Sequence, residues 1–64
     1  MIRVNGVEQS HVDETVEQLL GRLSIETRGV AVALDGDVVR RSEWTTTQIV
    51  DGSSVEVVTA AAGG

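Results

Sequence analysis

The chain has no cysteine, proline, phenylalanine, tyrosine or lysine, and one tryptophan and one histidine among its 64 residues. Without cysteine, neither a disulfide nor a thiolate-ligated metal can staple the fold. Almost without aromatics, the core must be aliphatic, with valine its main material; the branched valine side chain fits a pleated strand surface. All five basic residues are arginines against ten acidic ones, a net charge of −5. No basic stripe is available for a phosphate backbone, which excludes nucleic-acid binding, and the acidic balance suits a partner with a basic face. No apolar run approaches the ~20 residues of a membrane span. The opening "MIRVNG" lacks the apolar segment and cleavage site of a signal peptide, so a cytoplasmic location with no membrane partner is expected. At this length the chain forms one domain with a thin core, burying only about 60% of the surface it exposes unfolded.

What is present reads as short elements separated by clear turn signals. "MIRV" alternates apolar and polar residues as a half-buried strand does. Asn5-Gly6 follows, a strong hairpin signal because both residues tolerate positive φ, and Val7 to Gln9 returns. Val16, Leu19, Leu20 and Leu23 then recur at i, i+3, i+4 and i+7, one stripe of an amphipathic helix. Thr15 with Gln18 forms a capping-box pattern, with Asp13 as a rival N-cap; Asp13, Glu14 and Glu17 suit the positive end of the helix dipole. "VAVAL" at 30–34 is a strand with Val30, Val32 and Leu34 on one face and Ala31 and Ala33 on the other. Asp35-Gly36 is a turn, Val38-Val39 a short strand, and "RRSEWTTTQI" an irregular connection with a helical turn near Ser42 to Trp44. After the Asp51-Gly52 turn, "SVEVVTA" is the last strand, Val55 and Val57 on one face, Glu56 and Val58 on the other.

One helix is too few to cover both faces of a parallel sheet. The order instead fits an α+β fold: a mixed four- to five-stranded sheet with one helix across one face, the element order of ubiquitin-like β-grasp domains. A split ferredoxin-like arrangement needs a second long helix, which the broken Trp44 region cannot supply. The expected organisation is a folded domain over 1–60 and a flexible tail over 61–64.

The residues with chemical potential are few. His11 has no cysteine to share a metal with and reads as a surface histidine before the helix. No serine sits in a nucleophile-elbow context, and no glycine-rich phosphate loop is present. Asp35 and Asp37 flank Gly36 without the other ligands of a calcium loop. No metal site, bound cofactor or catalytic residue is expected; the protein reads as a non-enzyme. Trp44 reads as a plug at the edge of the core, with a partner contact as its other use.

The informative feature is "TAAAGG". Glycine gives a strand nothing to pack and is costly to order. An enzyme that activates a terminal carboxylate must admit it through a narrow channel, and Gly63 and Gly64 have no β-carbon to obstruct one. From Thr59, five extended residues reach roughly 16 Å. Val58 on the open face of the sheet, followed by Ala60, Ala61 and Ala62, makes an apolar approach to that tail. Val58 and Ala60 are therefore the expected partner contacts, Ala61, Ala62 and Gly63 the threading residues, and Gly64 the reacting end.

The whole chain resembles the ThiS-type sulfur carriers of thiamin biosynthesis. The resemblance is carried by "VNG", "TVEQLL", "VAVALDGDVV", "RSEW", "DGSSVEVV" and the final "GG", in this order and at this length. It implies a β-grasp fold and a carrier that is a co-substrate of other enzymes. An E1-like, ThiF-type adenylyltransferase using ATP and magnesium would adenylate Gly64. A sulfur donor protein would convert the adenylate to a thiocarboxylate, and a ThiG-type thiazole synthase would take the sulfur. Sulfur delivery to molybdopterin or cysteine synthesis, or a role as a ubiquitin-like modifier, uses the same tail; without lysine, a modifier could not build lysine-linked chains on itself. The family often has proline just before "RSEW", where this chain has Arg40, which leaves that loop looser.

Overall fold

The computed structural model describes residues 1–59; the expected boundary after residue 60 and the tail over 61–64 lie outside them. Five strands and one α-helix occur in the expected order. Strands β1 (Ile2–Val4) and β2 (Val7–Gln9) pair antiparallel, joined by Asn5 at φ 52 and Gly6 at φ 83. Helix α1 (Val16–Arg22) follows, then the hairpin of β3 (Val30–Leu34) and β4 (Asp37–Val39), a 3-10 turn at Arg41–Glu43, and β5 (Ser54–Thr59). The sheet order is β2-β1-β5-β3-β4. The last strand is therefore the middle one, parallel to β1 and antiparallel to β3.

The helix lies where its apolar stripe demands. Val16, Leu19 and Leu20 are buried and Leu23 partly so, packed with Ile2, Val4, Val32 and Val55 from the strands. Its N-cap is Thr15 and not Asp13. Thr15 Oγ1 accepts from the Gln18 amide at 3.2 Å, and Gln18 Oε1 accepts from the Thr15 amide at 2.9 Å. Other amides of the first turn are also occupied: Val16 donates to the Thr47 carbonyl and Glu17 to that of Trp44. The irregular 44–49 segment thus serves as an external cap for the helix, meeting the hydrogen-bond demand every helix start carries.

Glu14 departs from its expected role. It is buried at 5% exposure, just ahead of the cap, and its carboxylate receives Nε (3.1 Å to Oε1) and Nη2 (2.8 Å to Oε2) of Arg22 at the far end of the helix. A guanidinium fork offers two parallel donors to one carboxylate, a geometry that specifies position as well as charge. The hydrogen bonds that Arg22 donates to Glu14 hold its guanidinium above its ordinary pKa. Glu14 is thereby tied to the last residue of the helix by a side-chain pair.

Candidate functional site

The candidate site is the end of β5, and the strand registry places it. Val30 pairs with Thr59, Ala31 with Val58 and Ala33 with Glu56. The alternation expected along β5 holds. Val55 is fully buried and Val57 partly buried toward the helix, while Val58 lies on the open face at 57% exposure. On that face Val58 stands opposite Ala31, and Ala33 stands opposite Val38, itself 74% exposed. The open face near the chain's exit therefore presents small and apolar side chains around the exposed Glu56. Of the expected site residues, Val58 is placed as anticipated; Ala60, Ala61, Ala62, Gly63 and Gly64 lie outside the described residues.

Two side chains grip β5 from its flanks, and both come from hairpin turns. On the β1 side, Asn5 Oδ1 accepts from the Val57 amide at 2.8 Å and its Nδ2 donates to the Val57 carbonyl at 3.1 Å. On the β3 side, Asp35 Oδ1 accepts from the Ser54 amide at 2.8 Å, while the Asp35 amide donates to the Ser54 carbonyl at 2.8 Å. Both turn residues have φ 52. Sequence reasoning recognised Asn5 and Asp35 as turn formers and missed the grip, whose partners lie 52 and 19 positions away.

The remaining candidates have structural roles. Trp44 is buried at 4% exposure, its indole donates to the Val39 carbonyl at 3.0 Å, and the Arg41 guanidinium sits 4.5 Å from its ring centroid. That is the core plug expected of it, with an arginine lid. His11 Nε2 lies 3.2 Å from the Ile49 carbonyl oxygen. Among the described residues, no group of three His, Asp or Glu side chains is arranged to hold a metal ion. A cleft of about 240 Å3 opens beside Ile2, Arg3, Glu8 and Ser53, at the start of β5 and not at its exit. No helix of the described residues is long and apolar enough to cross a membrane.

A mixed five-stranded sheet with one helix across one face, and a central final strand leading to the chain's last residues, defines the ubiquitin-like β-grasp class. The ThiS family model matches residues 2–64, and the chain belongs to the ThiS family. The crystal structure of the thiamine biosynthesis protein ThiS from Geobacter metallireducens superposes with a TM-score of 0.86 at 30% identity, over 98% of this chain and 97% of that one. An NMR solution structure of a thiamine biosynthesis protein from the same organism gives 0.74 at 30% identity, over 98% and 86%. A thiazole synthase of Paramagnetospirillum magneticum is 36% identical over 62 residues, which make up 95% of this chain and 19% of that protein. The chain thus spans about a fifth of the length of that curated relative.

Proposed function

We propose that this protein is a sulfur carrier of thiamin biosynthesis that holds its sulfur as a thiocarboxylate on Gly64. The observation that carries the reading is the extent of the family match, which runs through the tail to the final glycine and does not stop at the folded body. The placement of β5 supports it, since the strand that leads into the tail is the central one of the sheet, paired with β1 and β3.

The chemistry asks little of the carrier. A carboxylate resists sulfur nucleophiles because it is a poor acceptor with a poor leaving group. An adenylyltransferase removes that obstacle: a Gly64 carboxylate oxygen attacks the α-phosphorus of ATP, with magnesium on the phosphates, and pyrophosphate departs. Hydrosulfide, or a donor protein's equivalent, then adds to the acyl carbon and AMP leaves, so the terminus gains one sulfur and has lost one oxygen. Thiazole synthase consumes that sulfur and returns the carboxylate. The carrier is a co-substrate throughout and binds no cofactor of its own. Val58, with Ala31 opposite it on the open face, belongs to the surface on which the adenylyltransferase and the synthase dock, and Ala60 is the further contact residue. The likeness to a segment of a thiazole synthase favours that enzyme as the acceptor.

Intact-mass spectrometry tests the reading directly. After incubation with ATP, magnesium, the adenylyltransferase and a sulfur source, the protein should gain the mass of one sulfur less one oxygen. Deleting Gly64 should abolish the change and leave the melting temperature within about 1 °C, because a terminal glycine has no side chain to pack. An unaltered mass with partners that process another carrier would overturn it, as would a large loss of stability in the deletion. Capture of a thiazole synthase, in preference to a molybdopterin-synthase subunit or a lysine-bearing target, would separate the pathways.

A further inference from the structure

The geometry points to Asn5 as a positioning residue for the terminal tail, an inference that rests on the sulfur-carrier reading. The parallel β1–β5 ladder runs through Arg3↔Ser54 and Val4↔Val55, with the Asn5 amide donating to the Val55 carbonyl at 2.9 Å. At Asn5 the β1 backbone turns away into its hairpin. The next ladder position on β5 is Val57, whose amide and carbonyl would then face no strand. The Asn5 side chain fills both places. Its carboxamide has the same donor and acceptor as a peptide group, so it acts as one further peptide unit of β1. The last part of β5 is thereby held in line with the sheet just before the chain runs on toward Gly64.

The choice of asparagine is specific. Asn-Gly and Asp-Gly both serve a two-residue hairpin turn, and the chain uses both, at Asn5-Gly6 and Asp35-Gly36. At Asp35 the side chain meets only a donor, the Ser54 amide, because the Ser54 carbonyl is satisfied by the Asp35 backbone. At Asn5 the side chain meets a donor and an acceptor on the same residue. An aspartate there would keep the turn and the bond to the Val57 amide. Its second oxygen, having no proton to give, would face the Val57 carbonyl. Turn chemistry alone does not distinguish the two positions; the hydrogen-bond demand of β5 does.

The test compares Asn5→Asp and Asn5→Gly, which keep the turn, with Asp35→Gly, which loosens β5 at its other end. Each is assayed as substrate for the adenylyltransferase by ATP–pyrophosphate exchange, alongside melting temperature and amide hydrogen exchange at Val57. Both Asn5 variants should raise the KM for the carrier roughly fivefold to tenfold with kcat nearly unchanged, the scale of one or two lost neutral hydrogen bonds. The Val57 amide should exchange faster in Asn5→Gly. Asp35→Gly should lower the melting temperature comparably and leave KM at the wild-type value. Wild-type KM in both Asn5 variants would overturn the assignment, as would an equal KM rise in Asp35→Gly, which would make the effect one of stability. A wild-type protein that supports no exchange would defeat the carrier reading itself and this assignment with it.

Discussion

Ser53 is 98% buried, its backbone amide donates to Val50 and its carbonyl accepts from Arg3, yet its hydroxyl finds no partner among the described residues. A buried polar atom left unpaired costs about 1–3 kcal/mol. Ser53→Ala should therefore raise stability by about 1 kcal/mol, read as a melting temperature several degrees higher. A fall would mean that the hydroxyl has a partner in solution. Trp44 and Val58 were legible from sequence because each depends on a local fact: a lone large aromatic in a small core, and strand alternation. The ion pair of Glu14 with Arg22 and the reach of Asn5 to Val57 were not, because both depend on where distant backbone comes to rest. The one local hint at Asn5 is the use of asparagine where aspartate forms the same turn.

Helix α1 is short, seven residues, and its first end is closed by side chains and its last by backbone. At the C-terminus the Ser24 amide donates to the Gly21 carbonyl and the Ile25 amide to that of Leu20, with Ser24 at φ 57. This is the Schellman pattern, with Ile25 partly buried against the core and a serine where glycine is usual. A left-handed conformation costs an L-residue about 1–2 kcal/mol. Ser24→Gly should recover about 0.5–1 kcal/mol, after allowance for the freer unfolded chain, and thermal unfolding should show it. Loss of stability would indicate that the Ser24 side chain makes a contact glycine cannot replace. The start of the helix was readable in the Thr15–Gln18 pattern. Its stop was not, since Ser24 carries no marker of a left-handed residue. At Arg40 the backbone adopts φ −64 and ψ 145, a φ that a proline ring would also fix, and its carbonyl accepts from the Glu43 amide at 2.8 Å.

Across the whole molecule, element order and turn signals were enough to propose a β-grasp, because each turn carries a local residue signature and a single helix leaves few layered folds. The core came with them, since strand alternation and the helical stripe select the same side chains that are buried. One long-range pair joins the ends of the described fold: the Met1 ammonium donates to Asp51, in the turn before β5. That hydrogen bond, more than the charge attraction that accompanies it, holds the Asp51 carboxyl below its ordinary pKa. A carboxylate with a lowered folded pKa contributes stability above its unfolded value of about 4 and loses it as pH falls through the folded one. Both partners are exposed, so the contribution is small and screened by salt. Asp51→Asn should slightly reduce stability at neutral pH and make the decline below about pH 4 shallower; parallel acid unfolding curves would refute this.

The central position of β5 also decides how the protein bears load. Under the proposed function, an enzyme that takes hold of the tail would load this strand first, because β5 is the last element of the described fold. Its flanking hydrogen bonds, to β1 on one side and β3 on the other, run across the strand, so they share the strain together instead of parting one after another as at a peeled edge. A strand held in this way would yield to such a load only when both flanking ladders fail at once, which leaves the body intact through repeated rounds of capture and release.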